Sequence, residues 1–180
     1  MRASAVVPSG VERTFDEDEI IVTKTDTKGV LTYANKVFLR VSALSEAEAI
    51  GRPHSLIRHP EMPRAVFKLL WDSLQARQEL FAYVVNLAAD GAHYWVLAHV
   101  TPSLDARGQV VGYHSSRRRP ERAAVDAAQE LYGRLRAEER RHPGSKEGLD
   151  ASWAMLQETL GSRGQTYDQF VWELTNAIAV

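Results

Sequence analysis

The apolar and β-branched positions of the chain change their spacing several times, and each change predicts an element. Ile20-Ile21-Val22-Thr23-Lys24-Thr25 reads as a strand, Asp26-Thr27-Lys28-Gly29 as a turn, and Val30-Leu31-Thr32-Tyr33 as a second strand, which together make a hairpin. Asn35 then stands where a side-chain oxygen can cap a helix over Lys36 to Val41. Ser45-Glu46-Ala47-Glu48 has the reciprocal capping spacing ahead of a short helix ending near Gly51.

Two prolines between Arg52 and Met62 break any long helix there and leave single turns joined at angles. Pro63 suits a first helical position and opens a helix to about Ala76. Its apolar positions Val66, Phe67, Leu70, Trp71 and Leu74 share one face. Three strand-like runs follow: Leu80 to Leu87, His93 to Thr101 and Gln109 to Ser116. Ala89-Asp90-Gly91 and Asp105-Ala106-Arg107-Gly108 separate them. The expected class is α+β, a five-stranded antiparallel sheet with helices on one face and a pocket between the layers.

Residues 20–118 make up this unit. Residues 1–19, ending in Asp16-Glu17-Asp18-Glu19, lack sustained periodicity and read as a cap or arm, expected to exchange contacts in a homodimer. Residues 119–180 turn helical. Val125, Ala128, Leu131, Tyr132 and Leu135 form a stripe, a second helix runs from Ala151 to Leu160 behind Asp150, and a third from Tyr167 to Ala177 behind Thr166.

Composition removes several classes. The 22 basic and 23 acidic residues nearly cancel, so no overall field draws nucleic acid or anionic lipid. Arg117-Arg118-Arg119 with Arg122 reads as a solvated hinge at the strand-helix junction. With no cysteine in the chain, disulfides, thiolate metal sites and cysteine nucleophiles are excluded. The same absence suggests a reducing, cytoplasmic setting. No apolar run approaches the ~18 residues of a membrane span, and Met1 to Gly10 lacks the order of a signal peptide. The six histidines lack zinc spacing, and no phosphate loop, nucleophile elbow or zinc-protease motif occurs. A non-enzymatic protein without a metal is the expectation.

The segment Gly51-Arg52-Pro53-His54-Ser55-Leu56-Ile57-Arg58-His59-Pro60-Glu61-Met62-Pro63 is the most particular in the chain. With Tyr33-Ala34-Asn35, Asn86 before Asp90-Gly91, His93-Tyr94-Trp95-Val96 and Gly112-Tyr113, it resembles the flavin-binding PAS domain of the aerotaxis transducer (Aer) family. The resemblance runs from about Thr23 to Arg118. It implies a PAS fold whose pocket holds FAD non-covalently, with FMN or no cofactor as alternatives, and a switch that reports redox state or oxygen.

Carried over by position, the resemblance puts Asn35, Arg58, His59, Glu61, Trp71, Asn86, Trp95 and His114 at or near the cofactor. An arginine offers a forked donor and a tryptophan a stacking face. An asparagine both donates and accepts at a ring edge. The residues alone leave Trp71 readable as core, Asn86 as a backbone-paired strand residue, and Arg58, His59 and His114 as structural. Glu61 stands for the family's usual aspartate, Leu80 for a tryptophan, and Leu87-Ala88-Ala89 for a basic stretch.

The family's membrane anchor and methyl-accepting helices have no counterpart in these residues. Output is therefore expected through a signalling or chemotaxis partner, the helical tail or dimerisation. A cofactor-free PAS adaptor, its pocket filled by its own side chains, is the competing expectation; a flavin enzyme lacks an acid-base pair.

Overall fold

The computed structural model of the protein describes residues 6–176. The first strands are β1, Ile21–Thr25, and β2, Leu31–Ala34. Helices α1, Lys36–Ser42, and α2, Glu46–Ala49, follow, then a 3-10 turn, His54–Ile57, and helix α3, Arg64–Gln75. The sheet is completed by β3, Leu80–Leu87, β4, His93–Leu104, and β5, Val110–Arg118. Its order is β2-β1-β5-β4-β3, and every pairing is antiparallel.

Local chemistry explains the boundaries. Asn35 Oδ1 accepts from the Phe38 N–H at 2.9 Å and the Val22 N–H at 3.1 Å, while Nδ2 donates to Ile20 O at 2.8 Å. One amide thus caps α1 and pins it to β1. Ser45 and Glu48 close the reciprocal cap of α2. Strand β4 runs past its expected end and takes in Pro102. The proline is tolerated because β3 pairs no further than Val100, so nothing on that side needs its missing N–H. A Cβ on Gly112 would lie 2.2 Å from Thr25 O, so only glycine lets β5 approach β1 here.

The helical tail is α4, Arg122–Arg140, α5, Ser145–Gly161, and α6, Tyr167–Asn176. Helix α5 begins earlier than its expected start at Ala151. Asp150 does not cap it but pairs with Lys146 one turn back at 2.6 Å. Thr166 and Gln169 form the expected reciprocal cap of α6; Ala177, its expected last residue, lies outside the described residues. The tail folds back on the sheet. Tyr132 stacks near Trp95, with ring centroids 6.2 Å apart, and its hydroxyl donates to Tyr83 O at 2.6 Å. The Tyr83 hydroxyl meets Thr175 of α6 at 2.9 Å. A single apolar cluster therefore joins α3, β3 and β4 to all three tail helices.

The arm also packs on its own chain. Ser9 N donates to Gly91 O at 2.8 Å, and Arg13 pairs with Asp90 at 2.5 Å. Phe15 is buried in the second apolar cluster with Ile21, Phe38 and Tyr94.

A candidate ligand cavity between sheet and helices

The sheet face turned toward α3 presents alternate residues of four strands: Thr23 and Thr25 of β1, Val84 and Asn86 of β3, Ala98 and Val100 of β4, and Tyr113, Ser115 and Arg117 of β5. The period of two in a strand places them together. Helix α3 covers them with Phe67, Leu70, Trp71 and Leu74, and the turn before it adds His54, Ile57 and Arg58. They enclose a cavity of ≈ 170 Å³.

Its walls are largely aliphatic and aromatic, and its floor is polar. Asn86 Nδ2, Ser115 Oγ and Arg117 Nη1 are buried with no hydrogen-bond partner among the described residues. Arg117 Nη2 donates to Thr23 Oγ1 at 2.9 Å and to His54 Nε2 at 2.6 Å. Because guanidinium can only donate, His54 accepts, and its ring is neutral. Burial, reinforced by the Arg117 charge, pushes the His54 pKa down to about 3. Burial also lowers Arg117, to about 10, which leaves it charged at neutral pH.

At the mouth, Trp71 is 38% exposed, more than a helix-face core residue should be. Its ring stands edge-on to Tyr113 with centroids 5.6 Å apart and lies over Gly29. Arg58 lies at the rim with its guanidinium 3.9 Å from the Phe67 ring centre, and its backbone bridges to Asn86 on the edge strand. Burial, the largest influence on it, lowers the Arg58 pKa.

The residues carried over by position thus divide. Arg58, Trp71 and Asn86 line one cavity. Asn35 is spent on the cap of α1. His59 is buried beside His93, ring centroids 5.9 Å apart, and its Nδ1 accepts from the Glu61 N–H at 3.1 Å. Glu61 points outward and holds Arg140 of α4 through both carboxylate oxygens at 2.9 Å. Trp95 and His114 lie on the opposite sheet face. Asn86 is paired with Tyr94, so Trp95 must point away, and His114 alternates with the inward Tyr113 and Ser115.

The reading of Arg117, Arg118, Arg119 and Arg122 as a solvated hinge is corrected at Arg117, which is 4% exposed. Arg118, Arg119 and Arg122 are exposed, Arg119 donating to Phe15 O at 3.3 Å and Arg122 pairing with Glu12 at 2.8 Å. His54, Ser115 and Arg117 were missed as site residues. Strand alternation from Tyr113 could have placed the last two on the inner face; nothing local marks His54.

The PAS fold family matches residues 31–117. The aerotaxis receptor of Escherichia coli K12 is 35% identical over 121 residues, covering 67% of this chain and 24% of that protein. The nitrogen fixation regulatory protein of Klebsiella pneumoniae is 28% identical over 103 residues, covering 57% of this chain and 21% of that protein. The chain thus spans about a quarter of the length of these curated relatives, or less. The dark structure of the blue-light photoreceptor Aureochrome1 LOV superposes with a TM-score of 0.54 at 24% identity, over 66% of this chain and 86% of that one; it supports the fold. Sheet order, cavity and sequence agree: this chain carries a PAS domain whose sequence resembles the matching stretch of the aerotaxis receptor.

Proposed function

We propose that this chain is a PAS sensor that holds a flavin, FAD, in the cavity under α3 and reports redox state or oxygen to a signalling partner. The observation that carries the reading is the buried amide Nδ2 of Asn86, which has no hydrogen-bond partner among the described residues and lines a largely apolar cavity. A buried donor without a partner costs about 1–3 kcal/mol, so a ligand edge with acceptors is the economical occupant.

A flat ring with apolar faces and a polar pyrimidine edge fits these residues. Val84, Val100, Leu70 and Leu74 would flank its faces, and Asn86 would meet its edge. Arg58 at the rim would meet the phosphates, and Trp71 with Tyr113 would close over the opening. When bound, the flavin supplies reversible electron uptake; the chain supplies orientation and exclusion of water. The matches to an aerotaxis receptor and a nitrogen fixation regulatory protein support a sensory role. A filled core, as an adaptor without cofactor would have, is disfavoured by the open space between α3 and the sheet.

The test is the absorption spectrum of protein purified under gentle conditions, with heat release and chromatography of any yellow material. The two-banded absorption of oxidised flavin, with FAD in the supernatant, is expected. A colourless protein that also fails to take up added FAD overturns the reading.

A further inference from the structure

Among the described residues Arg117 is a buried cation without a counter-charge. The cavity is lined by two guanidinium groups, Arg117 on its floor and Arg58 at its rim, and by no carboxylate. Arg117 takes part in no ion pair among the described residues. Its Nη2 is satisfied by two neutral groups, Thr23 and His54, and its Nη1 by none. The Tyr94 hydroxyl, whose field acts on Arg117, is itself buried, unpartnered and held protonated by burial. A charge so placed destabilises the empty protein unless something negative faces it.

We infer that the Arg117 guanidinium, oriented by His54 and Thr23, is a charge-selective subsite that favours a ligand edge carrying negative charge, an inference that rests on the flavin reading of the cavity. His54 orients without competing. As a neutral acceptor it fixes the guanidinium through Nη2 and leaves Nη1 for the ligand. For a flavin the consequence is specific. The oxidised ring is neutral; two electrons and one proton leave it with a single negative charge at neutral pH. A guanidinium that contacts the ring edge therefore binds the reduced ring more tightly than the oxidised one. The sensor would read redox state through one strand residue.

The experiment is titration of the ligand-free chain with FAD, in air and under anaerobic dithionite, which supplies the electrons while water supplies the proton. Thermal unfolding of the same ligand-free proteins is the control. Wild type is expected to bind reduced FAD at least about ten-fold more tightly than oxidised FAD, as for a hydrogen bond to a charged group. In Arg117→Met the preference falls to near unity while ligand-free thermal stability is unchanged or higher. Arg117→Lys keeps part of the preference. An unchanged preference in Arg117→Met overturns the subsite, and so does a ligand-free Arg117→Met that melts lower or fails to fold, because the arginine is then structural. If wild type binds neither form, the flavin reading fails and the melting comparison alone decides: a higher melting point for Arg117→Met upholds an uncompensated cation, and an equal or lower one overturns it.

Discussion

Glu139 of α4 accepts a hydrogen bond from the backbone N–H of Arg64 at 2.7 Å, so a carboxylate of the helical tail caps the helix that covers the cavity. Pro63 leaves α3 without a side-chain cap of its own, and the positive end of the helix dipole faces this anion. The same buried carboxylate takes Arg136 at 2.7 Å and Ser152 at 3.1 Å. A Cβ on Gly148 would meet Glu139 O at 2.7 Å, so the close approach of α5 to this cluster also requires glycine. The tail is thereby built into the support of the site.

Replacing Glu139 with alanine uncaps α3 and leaves Arg136 and Arg64 without their shared anion. Loss of about 3 kcal/mol of stability is expected from urea unfolding, in the range for breaking a buried charge cluster. Glu61→Ala, which breaks only the exposed pair with Arg140, is expected to cost under about 1 kcal/mol.

Stability is expected to fall in acid in two overlapping stages. Burial and Arg117 depress His54 from 6.5 to about 3, so the folded state binds fewer protons than the unfolded chain. Its contribution is whole above pH 6.5 and is lost as pH falls toward 3. Burial pushes Glu139 up, but the hydrogen bonds from Arg136, the Arg64 backbone and Ser152 outweigh it and hold the carboxyl below 4.5. That contribution is whole above 4.5 and disappears as pH falls through the depressed value. Denaturant midpoints against pH for wild type and His54→Gln check the first stage: the variant is expected to lose much of the slope between pH 6.5 and 4.5.

Asn86→Ala and Trp71→Ala separate the two ends of the cavity. The first removes the donor facing the ligand edge and is expected to weaken FAD binding about ten-fold with a small change in ligand-free stability. The second opens the mouth and is expected mainly to speed FAD release, measured by stopped-flow fluorescence. Equal affinity and release in both variants would place the ligand elsewhere.

Gly112→Ala forces a methyl group against the Thr25 carbonyl. A loss of about 1–3 kcal/mol is expected, with faster amide exchange in β1 and β5 than in the β3–β4 pair.

The order of elements was legible in the sequence because its signals are local: β-branched runs bounded by turn residues, the caps at Asn35, Ser45 and Thr166, and Pro63 at the head of α3. Motif resemblance brought out Arg58, Trp71 and Asn86, which the fold gathers around one cavity. The same resemblance could not tell which neighbours look inward. Trp95 and His114 sit one position from inward residues, and a strand sends successive side chains to opposite faces. Only the pairing of β3, β4 and β5 decided which set faces α3. Arg117 looked like one of three consecutive solvent-facing arginines; its burial depends on Thr23 and His54, which lie 94 and 63 positions away. The tail's place on the sheet was likewise undetermined by periodicity, which shows that a helix has an apolar face but not what that face will cover. Chain order determines which elements form, by short-range chemistry; which side chains share a cavity is settled by contacts between distant residues.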